Sequence, residues 1–142
     1  MKRESMSTDN KPSVFERIRQ MNEMFEVPIN ERFTDHGNDR LAKFHKITAD
    51  EMKELKDCFN ELTAETDGVA FADYLADQCV YNISEAIRWG IDLEKVLHAV
   101  IDSQESKLFD GKPVWNGDRS KFLKGPNFIA PDAAIAKIVY GK

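Results

Sequence analysis

Five carboxylate residues lie at helical spacing near the middle of the chain. Asp50, Glu51 and Glu54 form one acidic group, and Asp73 and Asp77, four residues apart, form a second. Both groups adjoin apolar positions, so they are expected beside inward-facing helix stripes, where an unpaired charge costs on the order of several kcal/mol. Carboxylates that converge without enough Lys or Arg between them favour a hard cation such as Mg²⁺. Either group taken alone also fits a solvated helix face.

Two neighbouring predicted helices carry these groups. The apolar spacing predicts one helix over residues 39–64 and another over 69–89. The short connection at 66–68 favours antiparallel packing of the two helices. Glu54 and Asp77 then both lie about three turns from the connection. We therefore expect the two acidic groups to face each other across a helical hairpin.

Polar residues in the last third of the chain could bind a phosphate group. Gln104 is expected at an inward position of a later helix, and Lys107 follows one turn on. Lys121 and Lys124 lie further along, close to Arg119. Many enzymes neutralise the charge of a polyphosphate with Mg²⁺ and basic side chains. The alternatives are a hydrogen-bonded core amide for Gln104 and ordinary solubility for the basic residues.

The remaining segments complete an all-α fold. The length of 142 residues predicts one domain, over residues 13–142, preceded by a flexible polar arm over 1–12. No useful alternating pattern appears, so no strands are predicted, and the fold is a bundle of four to five helices. The other predicted elements are a first helix over 13–25, a fourth over 92–110, an irregular arm over 112–130 and a short last helix that begins at 131–132.

Composition excludes several classes of protein. The net charge of −5 argues against a non-specific nucleic-acid binder. No apolar run approaches about 18 residues and the N-terminus lacks a signal sequence, so a soluble, cytoplasmic protein without a membrane partner is expected. Cys58 and Cys79 are too few for a disulfide scaffold and lie on apolar stripes. The three histidines lack the spacing of zinc hydrolases.

Several motifs together resemble those of the MazG-like all-α nucleoside triphosphate pyrophosphohydrolases, a superfamily that includes phosphoribosyl-ATP pyrophosphohydrolase. Residues 50–54 resemble the E-E-x-x-E motif of these proteins, and 73–77 resemble the acidic pair that ends in L-A-D. Residues 103–107, Ser-Gln-Glu-Ser-Lys, resemble S-N-x-S-K. Residues 121–132 resemble the ending G-K-x-x-K-P…P-D. In two departures, Asp stands at 50 where Glu is usual and Gln at 104 where Asn is usual.

The resemblance implies a hydrolase that cleaves (d)NTPs between the α- and β-phosphates, giving a nucleoside monophosphate and pyrophosphate. It implies a Mg²⁺ cofactor, with Mn²⁺ as a substitute, that makes a water molecule more acidic. The metal ligands are then Glu51, Glu54 and Asp77, assisted by Asp73, and Asp50 is the candidate general base. Phosphate or substrate binding then falls to Gln104, Lys107, Lys121 and Lys124.

The resemblance also implies a homodimer or a dimer of dimers, because one protomer supplies an incomplete bundle. The resemblance implies that the protein binds a nucleotide substrate and does not bind nucleic acid. Two alternatives stay open. One is phosphoribosyl-ATP hydrolysis, which is the same chemistry on another substrate. The other is a non-catalytic helical interaction module with the same fold.

Overall fold

A computed structural model describes residues 11–60 and 65–141. Over those residues the regular secondary structure is almost entirely α-helical, which confirms the predicted all-α class. The first ten residues of the expected N-terminal arm lie outside the described residues. No described helix is long and apolar enough to cross a membrane. The helices are α1 (Val14–Met24), α2 (Gly37–Asp57), α3 (Gly68–Trp89), α4 (Leu93–Glu105) and α5 (Asp132–Tyr140).

The chain forms two compact units, Met1–Gly90 and Ile91–Lys142. The first unit contains α1 to α3, and the second contains α4, α5 and the arm over residues 112–130. Gly90, at the boundary, ends α3 with a φ of 71° in the left-handed region. A Cβ at this position would lie 2.0 Å from the carbonyl oxygen of Arg32, so only glycine fits.

Helix α2 ends at Asp57, earlier than predicted, and two short strands follow it. Strand β1 (Phe59–Asn60) pairs antiparallel with β2 (Glu65–Thr66), so the prediction of no strands is wrong here. The aromatic Phe59 and the β-branched Thr66, which pair with each other, favour extended backbone over helix. The predicted end of this helix, over 61–64, lies outside the described residues.

Contacts at both ends show that α2 and α3 run antiparallel. Near the start of α2, Arg40 donates to the carboxylate of Glu85 at 2.9 and 2.5 Å. At the other end, the N–H of Asp67 donates to the carbonyl of Cys58 at 2.7 Å. The separations from Arg40 to Cys58 and from Asp67 to Glu85 are both 18 residues. The two helices are therefore held in one register along their shared length.

Helix α1 packs on α3 through a buried polar contact. Asn22 is fully buried, and its amide donates to the carbonyl of Ser84 at 3.2 Å while accepting from the Ser84 hydroxyl at 2.7 Å. Because both polar ends of the amide are satisfied, its burial carries little penalty. The buried apolar side chains of this unit are Ile18, Cys58, Ile83, Ala86 and Trp89.

The second unit corrects two predictions for α4. The helix begins as predicted, with Asp92 accepting from the N–H of Lys95 at 3.2 Å, but it ends at Glu105 instead of near residue 110. Gln104 is exposed, whereas the preceding Ser103 is only 6 % exposed. The polar residue on the inward face is therefore Ser103, whose hydroxyl donates to the carbonyl of Ile129 at 2.7 Å.

Candidate functional site

Three of the predicted site residues converge in the first unit. One carboxylate oxygen from each of Glu51, Glu54 and Asp77 lies within 4.8 Å of the others. Glu51 and Glu54 come from one face of α2, and Asp77 comes from α3. The antiparallel packing expected from the sequence is confirmed. The acidic groups of the two helices therefore meet as predicted.

The register of the helices explains why Asp77 meets the glutamates. Counting from the contact of Arg40 with Glu85, Glu51 lies 11 residues along α2 and Asp77 lies 8 residues back along α3. This offset of three residues corresponds to about 4.5 Å along a helix axis. Side chains lean toward the N-terminus of their helix, so in an antiparallel pair the Glu51 and Asp77 side chains lean toward each other. The length of the Glu51 side chain closes the remaining gap.

The carboxylate of Glu51 is in an unfavourable setting. Its Oε2 atom is buried and has no hydrogen-bond partner within the described part of the chain. Burial raises the pKa of Glu51, and the negative charges of Glu54 and Asp77, a hydrogen bond with Glu54 and the charge of Asp73 raise it further. Among the ion pairs of the described residues, none involves Glu51, Glu54 or Asp77. The cluster therefore carries uncompensated negative charge.

The two remaining predicted acidic residues lie outside the converging group. Asp73 is exposed on α3, but its charge raises the pKa of Glu51, so it contributes to the field at the cluster. Asp50 is 57 % exposed and makes an ion pair with Lys53 at 3.6 Å on its own helix. The cluster thus has three converging carboxylates and a fourth that acts through its charge.

Tyr81 is a neighbour of the cluster that is not among the predicted site residues. Burial raises the pKa of its hydroxyl, as do the charges of Glu51, Asp77 and Glu54. The hydroxyl therefore stays protonated and is a hydrogen-bond donor beside the carboxylates. The signal was present in the sequence, because Asp73, Asp77 and Tyr81 follow one another at intervals of four on one face of α3.

The cluster fits a hard divalent cation. Its ligand atoms are all carboxylate oxygens, which Mg²⁺ prefers and Mn²⁺ also accepts. Mg²⁺ binds oxygen at about 2.1 Å, so ligand oxygens around it lie roughly 3–4 Å apart. The separations of up to 4.8 Å in this cluster need only small rotations of flexible glutamate side chains. Among the described residues, no hydrogen-bond donor competes with a cation for the Oε2 atom of Glu51.

The predicted phosphate-binding residues all lie in the second unit. Lys107 follows α4, and Lys121 and Lys124 lie in the arm. The ammonium group of Lys124 lies over the ring of Phe128, 4.7 Å from its centre. Arg119, close by, lies 5.1 Å from the ring centre of Trp115. Between residues 107 and 128 the chain carries five basic and two acidic side chains, so this segment suits an anionic ligand.

The two cysteines have different environments. Cys58 is buried as predicted, and its thiol donates to the carbonyl of Glu54 at 3.5 Å. Burial raises the pKa of this thiol, and the negative charges of Asp67, Asp57 and Glu54 raise it further. The resulting thiol is a poor nucleophile. Cys79 is exposed, so the prediction that it packs as an apolar side chain is wrong.

Comparison of the chain with models of known protein families finds no match, and comparison with curated protein sequences finds none either. The functional assignment therefore rests on the motifs of the chain and the geometry of the acidic cluster.

Proposed function

We propose that this protein is a Mg²⁺-dependent nucleoside triphosphate pyrophosphohydrolase of the MazG-like class, acting on cytoplasmic nucleotides. It cleaves a (d)NTP between the α- and β-phosphates, with water as co-substrate, and releases a nucleoside monophosphate and pyrophosphate. The observation that carries this proposal is the convergence of Glu51, Glu54 and Asp77 from two helices, with the Oε2 atom of Glu51 buried and unpaired.

In this proposal the acidic residues divide the work of holding the metal and moving a proton. Glu51, Glu54 and Asp77 hold Mg²⁺, and Asp73 adds negative charge beside them. Bound Mg²⁺ neutralises phosphate charge and makes a nearby water molecule more acidic. Asp50 lies beside the metal ligands on α2 but outside the converging group, and we propose that its carboxylate accepts the proton of the attacking water.

The basic residues of the second unit are proposed to bind the phosphate chain. Lys107, Lys121 and Lys124 supply positive charge for the phosphate oxygens, and Gln104 supplies an amide for phosphate or sugar. The exposure of Gln104 on α4 supports a role in contacting a ligand, since its amide is not needed to satisfy the core. We further propose a MazG-like helical arrangement that is completed by a second copy of the chain.

The decisive assay measures product from a panel of dNTPs, NTPs and phosphoribosyl-ATP, with and without Mg²⁺. We expect pyrophosphate from at least one nucleoside triphosphate, and only when Mg²⁺ or Mn²⁺ is present. Release of orthophosphate alone would show that a different phosphate is attacked. Turnover restricted to phosphoribosyl-ATP would favour the alternative that the protein is a phosphoribosyl-ATP pyrophosphohydrolase. No turnover of any compound would favour the non-catalytic module.

A pair of isosteric variants on α2 separates metal binding from proton transfer. Glu54→Gln removes a charged ligand, so we expect turnover to fall by at least about a hundredfold and Mg²⁺ affinity to fall with it. Asp50→Asn removes the proposed base, so turnover should fall by about a hundredfold or more while Mg²⁺ affinity stays the same. Steady-state kinetics and Mg²⁺ titration by calorimetry check both. Near-normal turnover of Glu54→Gln would show that Glu54 is not a metal ligand.

A further inference from the structure

Two serine hydroxyl groups at the end of α4 bind both backbone polar groups of one residue in the arm. The hydroxyl of Ser103 donates to the carbonyl of Ile129 at 2.7 Å, and the N–H of Ile129 donates to the hydroxyl of Ser106 at 2.9 Å. Ser106 in turn donates to the carbonyl of Ser103 at 2.6 Å. Each hydroxyl donates one hydrogen bond, and that of Ser106 also accepts one. We call Ser103 and Ser106 the serine pair.

A second attachment lies four residues before Ile129. The N–H of Gly125 donates to the carbonyl of Lys107 at 2.8 Å. A Cβ at position 125 would lie 2.5 Å from the carbonyl oxygen of Leu108, so only glycine allows this approach of the arm to the chain after α4. Lys124 directly precedes this attachment. The backbone of the arm is thus hydrogen-bonded at two points, to the serine side chains at the end of α4 and to the carbonyl of Lys107.

The segment of the arm that contains Lys121 is also ordered by local contacts. The N–H of Leu123 donates to the carbonyl of Val114 at 2.7 Å, and the rings of Trp115 and Phe122 lie 4.0 Å apart. The N–H of Lys121 donates to the side-chain oxygen of Asn116 at 3.2 Å. These contacts hold the arm together within itself, whereas the serine pair and Gly125 tie it to the rest of the unit.

From these contacts we infer that Ser103 and Ser106 are positioning residues, which fix the arm so that Lys121 and Lys124 present their charges to the phosphate chain of the substrate. This inference rests on the proposed function. The serine hydroxyls themselves are engaged with backbone groups, and Ser103 is 6 % exposed, so they are not free to bind phosphate. Holding the arm in place reduces the conformational entropy that the arm itself loses when a phosphate binds.

The test measures the mobility of the arm and its affinity for phosphate in the same variants. In Ser106→Ala the N–H of Ile129 loses its acceptor, so hydrogen exchange of the Ile129 and Gly125 amides should be at least about tenfold faster. The Kd for inorganic tripolyphosphate in Mg²⁺, measured by calorimetry, should rise about fivefold or more. The effect on hydrolysis should appear in KM, with kcat little changed. Ser106→Thr keeps a hydroxyl and should restore both measurements.

Two control variants separate the serine pair from other contributions. Ser120→Ala removes a hydroxyl that bonds, among the described residues, to Asp118 and Asn116 within the arm, so amide exchange at Ile129 should stay at the wild-type rate. Lys121→Ala should weaken tripolyphosphate binding without faster exchange. Ser103→Ala repeats the test from inside α4, in case the first variant is poorly folded.

Each outcome decides for or against the inference. Faster exchange with unchanged tripolyphosphate affinity would show that the arm need not be fixed, and unchanged exchange would show that the serine pair does not hold it. A wild-type protein that binds no tripolyphosphate would also overturn the inference. If the wild type binds tripolyphosphate in a manner dependent on Ser106 but hydrolyses no nucleotide, the positioning role of the serine pair is supported and the proposed function is wrong.

Discussion

Glu51 combines a buried, unpaired oxygen atom with three nearby negative charges. Such a carboxylate lowers the stability of the folded protein at neutral pH unless a cation compensates it. A site that is costly when empty favours metal binding, because the cation relieves repulsion that already exists. The raised pKa of Glu51 therefore links protein stability, pH and metal binding at a single residue.

We expect Glu51→Gln to melt above the wild type in the absence of metal near pH 7.5, by roughly 2–4 °C, because a partly buried charge beside like charges is removed. A carboxylate whose pKa is raised on folding contributes its full stability below the unfolded pKa, and this is lost as pH rises through the folded pKa. The advantage of the variant should therefore vanish at acidic pH, where the wild-type carboxylate is protonated. Thermal melts over a pH series check this.

The control for this prediction is Asp50→Asn, which removes a charge from the adjacent but exposed position and should leave the metal-free melting temperature nearly unchanged. Mg²⁺ should stabilise the wild type and Asp50→Asn but not Glu51→Gln. If Glu51→Gln melts below the wild type without metal, Glu51 is a structural residue and the metal site lies elsewhere.

Sequence spacing predicted that Glu51, Glu54 and Asp77 lie on the facing sides of α2 and α3, because helical periodicity fixes directions around a helix. It did not separate them from Asp50 and Asp73, which lie outside the converging group. It was less successful at single polar positions. Gln104 was predicted to face inward, but the adjacent Ser103 does so instead. A one-residue difference turns the direction around a helix by about 100°, so a small error in the assigned stripe selects the wrong residue. The partner of Ser103, the carbonyl of Ile129, comes from an irregular arm whose path no periodicity predicts.

At the scale of elements, the α2–α3 pair was predictable in type and direction but not in its connection. The helical stripe of apolar residues runs on toward residue 62, whereas the described chain turns into a β-hairpin after Asp57. Pairing of Phe59 with Thr66 is a contact between distant residues that a local pattern does not contain. The contact of Arg40 with Glu85, 45 residues apart in sequence, is of the same kind.

Glu85 anchors the register that brings the acidic cluster together. It accepts from Arg40 and from the indole N–H of Trp89 at 2.8 Å, and the Nε atom of Arg88 lies 3.7 Å away. Burial alone would raise the pKa of Glu85, but the hydrogen bonds from Arg40 and Trp89 and the charges of the two arginines lower it. This contribution to stability is present above the unfolded pKa and is lost as pH falls through the folded pKa.

Glu85→Gln should therefore destabilise the protein at pH 7 by about 2 kcal/mol, since two arginines lose their counter-charge at a partly exposed site. At this chain length, that is a fall of roughly 4–8 °C in Tm. The matched control is Glu31→Gln, which breaks the more exposed ion pair with Arg19 and should change Tm by about 1–2 °C at most. Equal effects of the two variants would show that Glu85 does not anchor the helix pair.

At the scale of the whole molecule, the charges are divided between the two units. The first unit has 18 acidic and 12 basic residues, whereas the second has 7 acidic and 8 basic residues. The acidic unit contains the candidate metal ligands, and the other contains the candidate phosphate-binding lysines. The candidate metal ligands and the candidate phosphate-binding lysines therefore belong to units of different charge balance.

Large apolar side chains remain exposed on α2 and α3. Leu41, Met52 and Leu75 lie among the apolar positions from which these two helices were predicted, yet they are 51 %, 60 % and 49 % exposed. Helical periodicity predicts an apolar face but does not say whether the same chain or another covers it. Because exposed apolar surface of this kind marks interaction sites, these residues support the proposed homodimer.

We expect a wild-type mass near twice the 16.3 kDa of one chain by light scattering, with dissociation on dilution. Leu75→Gln removes an apolar contact from α3 without adding charge, so the dimer should dissociate at concentrations about tenfold higher. The matched control is Leu123→Gln in the arm, where the leucine is exposed to a similar degree, 45 % against 49 %, and dissociation should be unchanged. A wild type that stays monomeric at every concentration would contradict the proposal, because the exposed face of α2 and α3 would then need no second copy.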